Sequence, residues 1–96
     1  MNVGETILAQ LGGNRFIAMT GARLLVNGEN FLQFSMPKAK DKSNKCRITL
    51  APADLYTLET FHVRGADCKA LSVEEGIYAD QLQATFTQIT GFDTHL

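Results

Sequence analysis

The chain has 96 residues, 45% hydrophobic and 20% charged, which is the composition of one small globular domain with a single core rather than of a disordered segment. A formal net charge of −1 excludes global attraction to nucleic acid or anionic membrane. No apolar run approaches the roughly 20 residues that cross a bilayer. The start, Met-Asn-Val-Gly-Glu-Thr, has neither the basic nor the apolar region of a secretory signal, so a cytoplasmic protein is expected.

Residues Glu5 to Leu11 place Ile7, Leu8 and Leu11 at helical spacing, with Val3 one turn before and Gly12 where a left-handed C-terminal residue belongs. So short a helix must dock to persist. Gly12-Gly13-Asn14 reads as a turn, since each of these residues tolerates positive φ. Arg15 to Thr20 is a continuous apolar run that reads as a central strand, and Gly21 then suggests a bulge.

Leu24 to Val26 resume an extended pattern. Asn27-Gly28-Glu29-Asn30 has hairpin chemistry, the Asn-Gly pair favouring a type I′ turn. In the returning strand, Leu32, Phe34 and Met36 share one face, taken as the core face. After Pro37 comes a polar run to Arg47 with five basic residues against one acidic, whereas residues 48–96 carry two basic against seven acidic. A basic loop is therefore set on an acidic body.

Cys46, Ile48 and Leu50 alternate with Arg47 and Thr49, a half-buried strand. Leu55 to Val63 is open to a helix capped by Asp54 or to a strand. Thr57, Thr60, Phe61 and Val63, followed by a turn at Arg64-Gly65-Ala66-Asp67, favour a hairpin leading into Cys68–Val73. If Leu55, Thr57, Phe61 and Val63 face inward, Tyr56, Leu58 and His62 lie on the opposite face. Ser72 to Glu75 has capping-box spacing, though Gly76 moves the helix start toward Ile77. Tyr78, Leu82, Phe86 and Ile89 then form an apolar helical stripe that Gly91 terminates. These elements predict an α+β domain over residues 1–96, a single antiparallel β-sheet of about four to five strands. A short N-terminal helix and a C-terminal amphipathic helix pack on one of its faces.

The run Thr6-Ile-Leu-Ala-Gln-Leu-Gly-Gly-Asn-Arg-Phe-Ile-Ala-Met-Thr-Gly-Ala22 resembles a family of small proteins encoded by bacteriophages, prophages and other mobile elements. Matching pieces recur at Arg47-Ile-Thr-Leu50, Asp54-Leu-Tyr56, Arg64-Gly65, Glu75-Gly-Ile-Tyr-Ala-Asp-Gln-Leu82, Thr90-Gly91 and Thr94-His95-Leu96. Residues 38–45 and 27–30 match least. The resemblance implies a mobile-element origin and action in a bacterial host cell. It transfers no catalytic residue.

Candidate chemistry is sparse. His62, His95, Cys46 and Cys68 are not at zinc-ligand spacing, so no metal or cofactor is expected. Cys46 and Cys68 read as two buried free thiols in a reducing compartment. No Gly-x-Ser-x-Gly elbow is present, and Glu74 with Glu75 suits a helix N-terminus. Gly12-Gly13-Asn14-Arg15 leaves a helix instead of opening one, so it is no phosphate cradle. Lys38, Lys40, Lys42, Lys45 and Arg47 remain as candidate binding residues. The expectation is a non-catalytic accessory protein that binds a host or phage macromolecule, a protein foremost and by analogy an inhibitor of host defence. The alternative is a nucleic-acid binder using residues 38–47, although that loop lacks the stacking aromatics such proteins use. An uncovered sheet face or edge leaves a homodimer open.

Overall fold

A computed structural model describes residues 2–37, 39–40 and 42–92. Helix α1 (Val3–Leu11) is capped by Asn2, whose side chain accepts a hydrogen bond from the Glu5 amide, and it ends on Gly12 at φ 128°. It buries Gly4, Ile7 and Leu11. Gly4 is the contact point with the sheet, because a Cβ there would stand 2.7 Å from the Asn27 Cα and 2.8 Å from the Phe31 carbonyl oxygen.

The expected central strand at Arg15–Thr20 is instead a second helix, α2 (Asn14–Thr20). Gly13, at φ 63° and ψ −133°, turns the chain in a conformation that side-chain-bearing residues avoid, and Gly21 closes the helix in the left-handed region instead of forming a bulge. Phe16 and Thr20, one turn apart, are the buried pair. A seven-residue apolar run bounded by glycines carries no decisive periodicity, and docking of Phe16 in the core selects the helix.

Five strands follow: β1 (Arg23–Asn27), β2 (Phe31–Ser35), β3 (Lys45–Leu50), β4 (Tyr56–Arg64) and β5 (Asp67–Ile77). They form one antiparallel sheet in sequence order, so β1 and β5 are its edges. The Asn27-Gly28 hairpin forms, but neither residue has the positive φ of a type I′ turn, and the Gly28 amide donates to the Phe31 carbonyl across a longer loop. In β1 a register shift lies between Arg23 and Val26, with Leu24 at φ 54°.

Leu32, Phe34, Met36, Cys46 and Ile48 face the core as their alternation predicts. Residues 55–63 enter a strand, but its faces are reversed from the expectation. Tyr56, Leu58 and Thr60 are buried, while Thr57, Phe61 and Val63 are only half-buried. The pairing explains this, since Leu58 lies opposite Ile48 and Thr60 opposite Cys46, both core residues. Leu55 precedes the strand and does not set its phase.

The capping-box residues Ser72–Glu75 belong to β5, which runs on to Ile77. A single 3-10 turn (Ala79–Gln81) then leads into α3 (Leu82–Thr90), capped by Gly91 in the left-handed region. Tyr78 therefore precedes the helix and is exposed, whereas Leu82 and Phe86 are buried. The helices cover one sheet face. Phe16, Phe34 and Phe86 meet there with ring centroids 5.1 to 6.0 Å apart, joining α2, β2 and α3.

Helices α2 and α3 end alike. Thr20 and Thr90 each donate a 2.7 Å hydrogen bond to the carbonyl four residues back, on Phe16 and Phe86. Each hydroxyl then accepts from the amide two residues on, at Ala22 and Phe92. One hydroxyl thus satisfies a buried carbonyl and the amide beyond the glycine.

Candidate binding surface at one end of the sheet

Antiparallel order gathers residues distant in sequence at the two ends of the strands. Arg23 opens β1, Lys45 opens β3, Arg64 closes β4, and Lys69 lies in the first turnless stretch of β5. The register sets Arg23 opposite Ser35 and Ser35 opposite Lys45, and places Lys69 opposite His62. The segment joining β2 to β3 adds Lys40 and Lys42. The Lys40 amide donates to the Thr90 carbonyl at the end of α3. His62 Nδ1 lies 3.0 Å from the Lys42 carbonyl, an acceptor, so this nitrogen carries the proton and donates.

Six described cations therefore share one end of the molecule: Arg23, Lys40, Lys42, Lys45, Arg64 and Lys69. Asp67 is the described acid there. Two clefts open at this end. One of about 220 Å³ is bordered by Arg23, Ser35, Met36, Asn44, Lys45 and Val63. The other, of about 240 Å³, is bordered by Lys42, His62, Lys69 and Leu71. The opposite end holds Glu29 between β1 and β2, Asp54 between β3 and β4, Glu74 and Glu75 late in β5, and Asp80 in the turn after it. Charge is thus polarised along the strand axis. In sequence order the charges form a basic loop on an acidic body, but Arg23, Arg64 and Lys69 lie outside that loop and join it only through strand pairing.

The expected binding residues divide accordingly. Lys38 lies outside the described residues. Lys40 and Lys42 are exposed on the connecting segment, and Lys45 is half-buried at the start of β3. Arg47 is not in the loop. It sits in mid-strand on the uncovered face, donating from Nε and Nη2 to Gln33 Oε1 at 3.0 and 2.7 Å, with its guanidinium 5.6 Å from the Phe31 ring centroid. It thus belongs to a row across all five strands, Val26, Gln33, Arg47, Glu59 and Val73.

Cys46 is buried and forms no disulfide. Cys68, likewise outside any disulfide, is exposed on β5, contrary to the expectation of two buried thiols, because an edge strand has no covering layer at that position. Among the described residues no group of three His, Cys, Asp or Glu side chains could hold a metal ion. His95 lies outside them. No helix is long and apolar enough to cross a membrane among the described residues.

Comparison with protein-family models, with curated proteins and with solved structures finds no match for this chain. The resemblance to mobile-element proteins therefore rests on the sequence motifs alone. The longest of these, Thr6–Ala22, covers α1 from Thr6 onward, the Gly12-Gly13 turn and α2.

Proposed function

We propose that this is a small non-catalytic accessory protein of a phage or other mobile element, which acts by covering an acidic surface on a host or phage protein. The observation that carries this reading is the convergence of Arg23, Lys40, Lys42, Lys45, Arg64 and Lys69 on one end of the sheet. Such a field speeds encounter with an oppositely charged partner and selects against basic ones. Inhibition of a host-defence protein by occlusion is the biological form that the mobile-element resemblance suggests.

The test compares the wild-type chain with an Arg23→Glu, Lys42→Glu variant for recovery of a stoichiometric protein from host lysate. Recovery by the wild type and loss by the variant support the proposal. No stoichiometric partner, or equal recovery by both, rejects it.

A second reading, a nucleic-acid-binding protein, draws on the same cations, since phosphates are recognised by the same charges. It requires DNA or RNA affinity at about 50 mM salt that falls as salt rises and falls again in the double variant. Among the described residues bordering the two clefts there is no Phe, Tyr or Trp, and the one ring, His62, is tied to the Lys42 carbonyl, which favours the protein partner.

A further inference from the structure

We infer that β5 is a self-association edge, and that two copies of the chain pair antiparallel along it to make a continuous ten-stranded sheet. Strand β5 is 11 residues long and closes one side of the sheet, so its outward amides and carbonyls have no strand beside them. Residues 67–70 and 73–76 are exposed. Strands of this kind accept a further strand unless charge, proline or a cover prevents it. Here β5 has no proline, α1 packs on β1 and β2 away from this edge, and α3 meets β5 but lays Phe86 against Phe34 of β2 on the covered face.

Charge selects a second copy of the chain as the occupant. Because the molecule is basic at one end of its strands and acidic at the other, antiparallel apposition of two copies sets each basic end beside the other's acidic end. The same complementarity appears within β5 itself. Lys69 lies toward the basic end and Glu74 toward the acidic end, about equally far from the junction of Leu71 and Ser72. A two-fold axis through that junction brings each Lys69 opposite Glu74 of the second copy, and Ala70 opposite its Val73.

The faces also agree. Glu74 is paired with core-facing Leu58, and Lys69 with His62, four residues further along the same face of β4. Val73 and Ala70 are paired with Glu59 and Phe61, on the uncovered face. Adjacent residues in a regular strand alternate, and an odd-numbered register would set unlike faces together. The register shift between Thr60 and Phe61 leaves Leu71 as an extra residue, and that single insertion restores the match. Each interface repeats every contact twice by symmetry. The net charge of −1 adds little repulsion between copies.

The test is sedimentation equilibrium of the full chain with three variants. The wild type should have twice the 10.5 kDa chain mass at concentrations where Lys69→Glu is monomeric, the substitution weakening association about tenfold by opposing like charges at two sites. Glu74→Lys should act the same way, and the Lys69→Glu, Glu74→Lys double variant should recover the dimer. A spin label on exposed Cys68, with buried Cys46 left unmodified, should report an interlabel separation of about 20–25 Å, the distance expected across such an axis. Three results each overturn the inference: a monomeric wild type, a dimer indifferent to these substitutions, or a label separation outside that range.

Discussion

Asn44 and Val63 exchange two hydrogen bonds of 2.8 Å, the Asn44 side-chain amide donating to the Val63 carbonyl and its oxygen accepting from the Val63 amide. A side chain here does what a backbone ladder does elsewhere. It continues the β3–β4 pairing past Lys45 and Phe61 after the β3 backbone has turned away. The Asn44 amide also donates to Phe61, and its carbonyl accepts from Met36, so both ends of the basic connecting segment are tied at one residue.

Asn44→Ala should therefore lower unfolding free energy by about 2 kcal/mol, from two lost hydrogen bonds and two half-buried backbone groups left to find water. Asn44→Asp keeps the acceptor but sets a carboxylate oxygen against the Val63 carbonyl where the donor stood, so its loss should be at least as large. Urea denaturation measures both. An Asn44→Ala value within about 0.5 kcal/mol of wild type would show that the ladder does not depend on this side chain.

Gly4→Ala sets two effects against each other. In an exposed helix the change gains about 1 kcal/mol of helix propensity. Here the added methyl would meet backbone atoms of Asn27 and Phe31 at 2.7 and 2.8 Å, and backbone gives way less readily than a side-chain tip. Displacement of α1 from the sheet should win, for a net loss of about 1–2 kcal/mol by denaturation. A stabilised Gly4→Ala would mean that α1 does not sit this close to β1 and β2.

Helix α2 is where the sequence was misleading, although a signal was present. Phe86-Thr-Gln-Ile-Thr-Gly91 reads as a helix end because a long amphipathic stripe precedes it. Phe16-Ile-Ala-Met-Thr-Gly21 has the same Phe, Thr and Gly spacing and the same fate, but the glycines before it cut the stripe short. The strands at Phe31–Ser35 and Lys45–Leu50 were legible because one face is dry and the other is wet. The phase of β4 was not, because apolar Phe61 and Val63 favour one face while Tyr56 and Leu58, with charged Glu59 between the latter and Thr60, favour the other. Half of the basic surface was legible as a run of lysines. The remainder depends on strand pairing that no local pattern contains.

The two readings of residues 14–20 differ at Ala18. A strand with Phe16 and Thr20 inward would bury Ala18 as well, whereas in α2 it is exposed. Ala18→Glu should consequently change stability by no more than about 0.5 kcal/mol. Phe16→Ala, which removes a ring from contact with Phe34 and Phe86, should cost about 3–5 kcal/mol. A large loss from Ala18→Glu, measured by thermal or urea unfolding, would restore the strand.

The paired helix ends give a comparison with an internal control. Thr20→Val and Thr90→Val each remove a buried hydroxyl that donates to a phenylalanine carbonyl and accepts from an amide beyond the glycine. Valine has nearly the same shape, so packing is kept and the polar groups are left unsatisfied, a loss of about 1–3 kcal/mol at each site. Thr→Ser retains the hydroxyl and loses only a methyl, about 1 kcal/mol in area. Serine should therefore outperform valine at both positions. If valine is the better replacement at either one, the hydroxyl there is not what closes the helix, and the glycine alone does so.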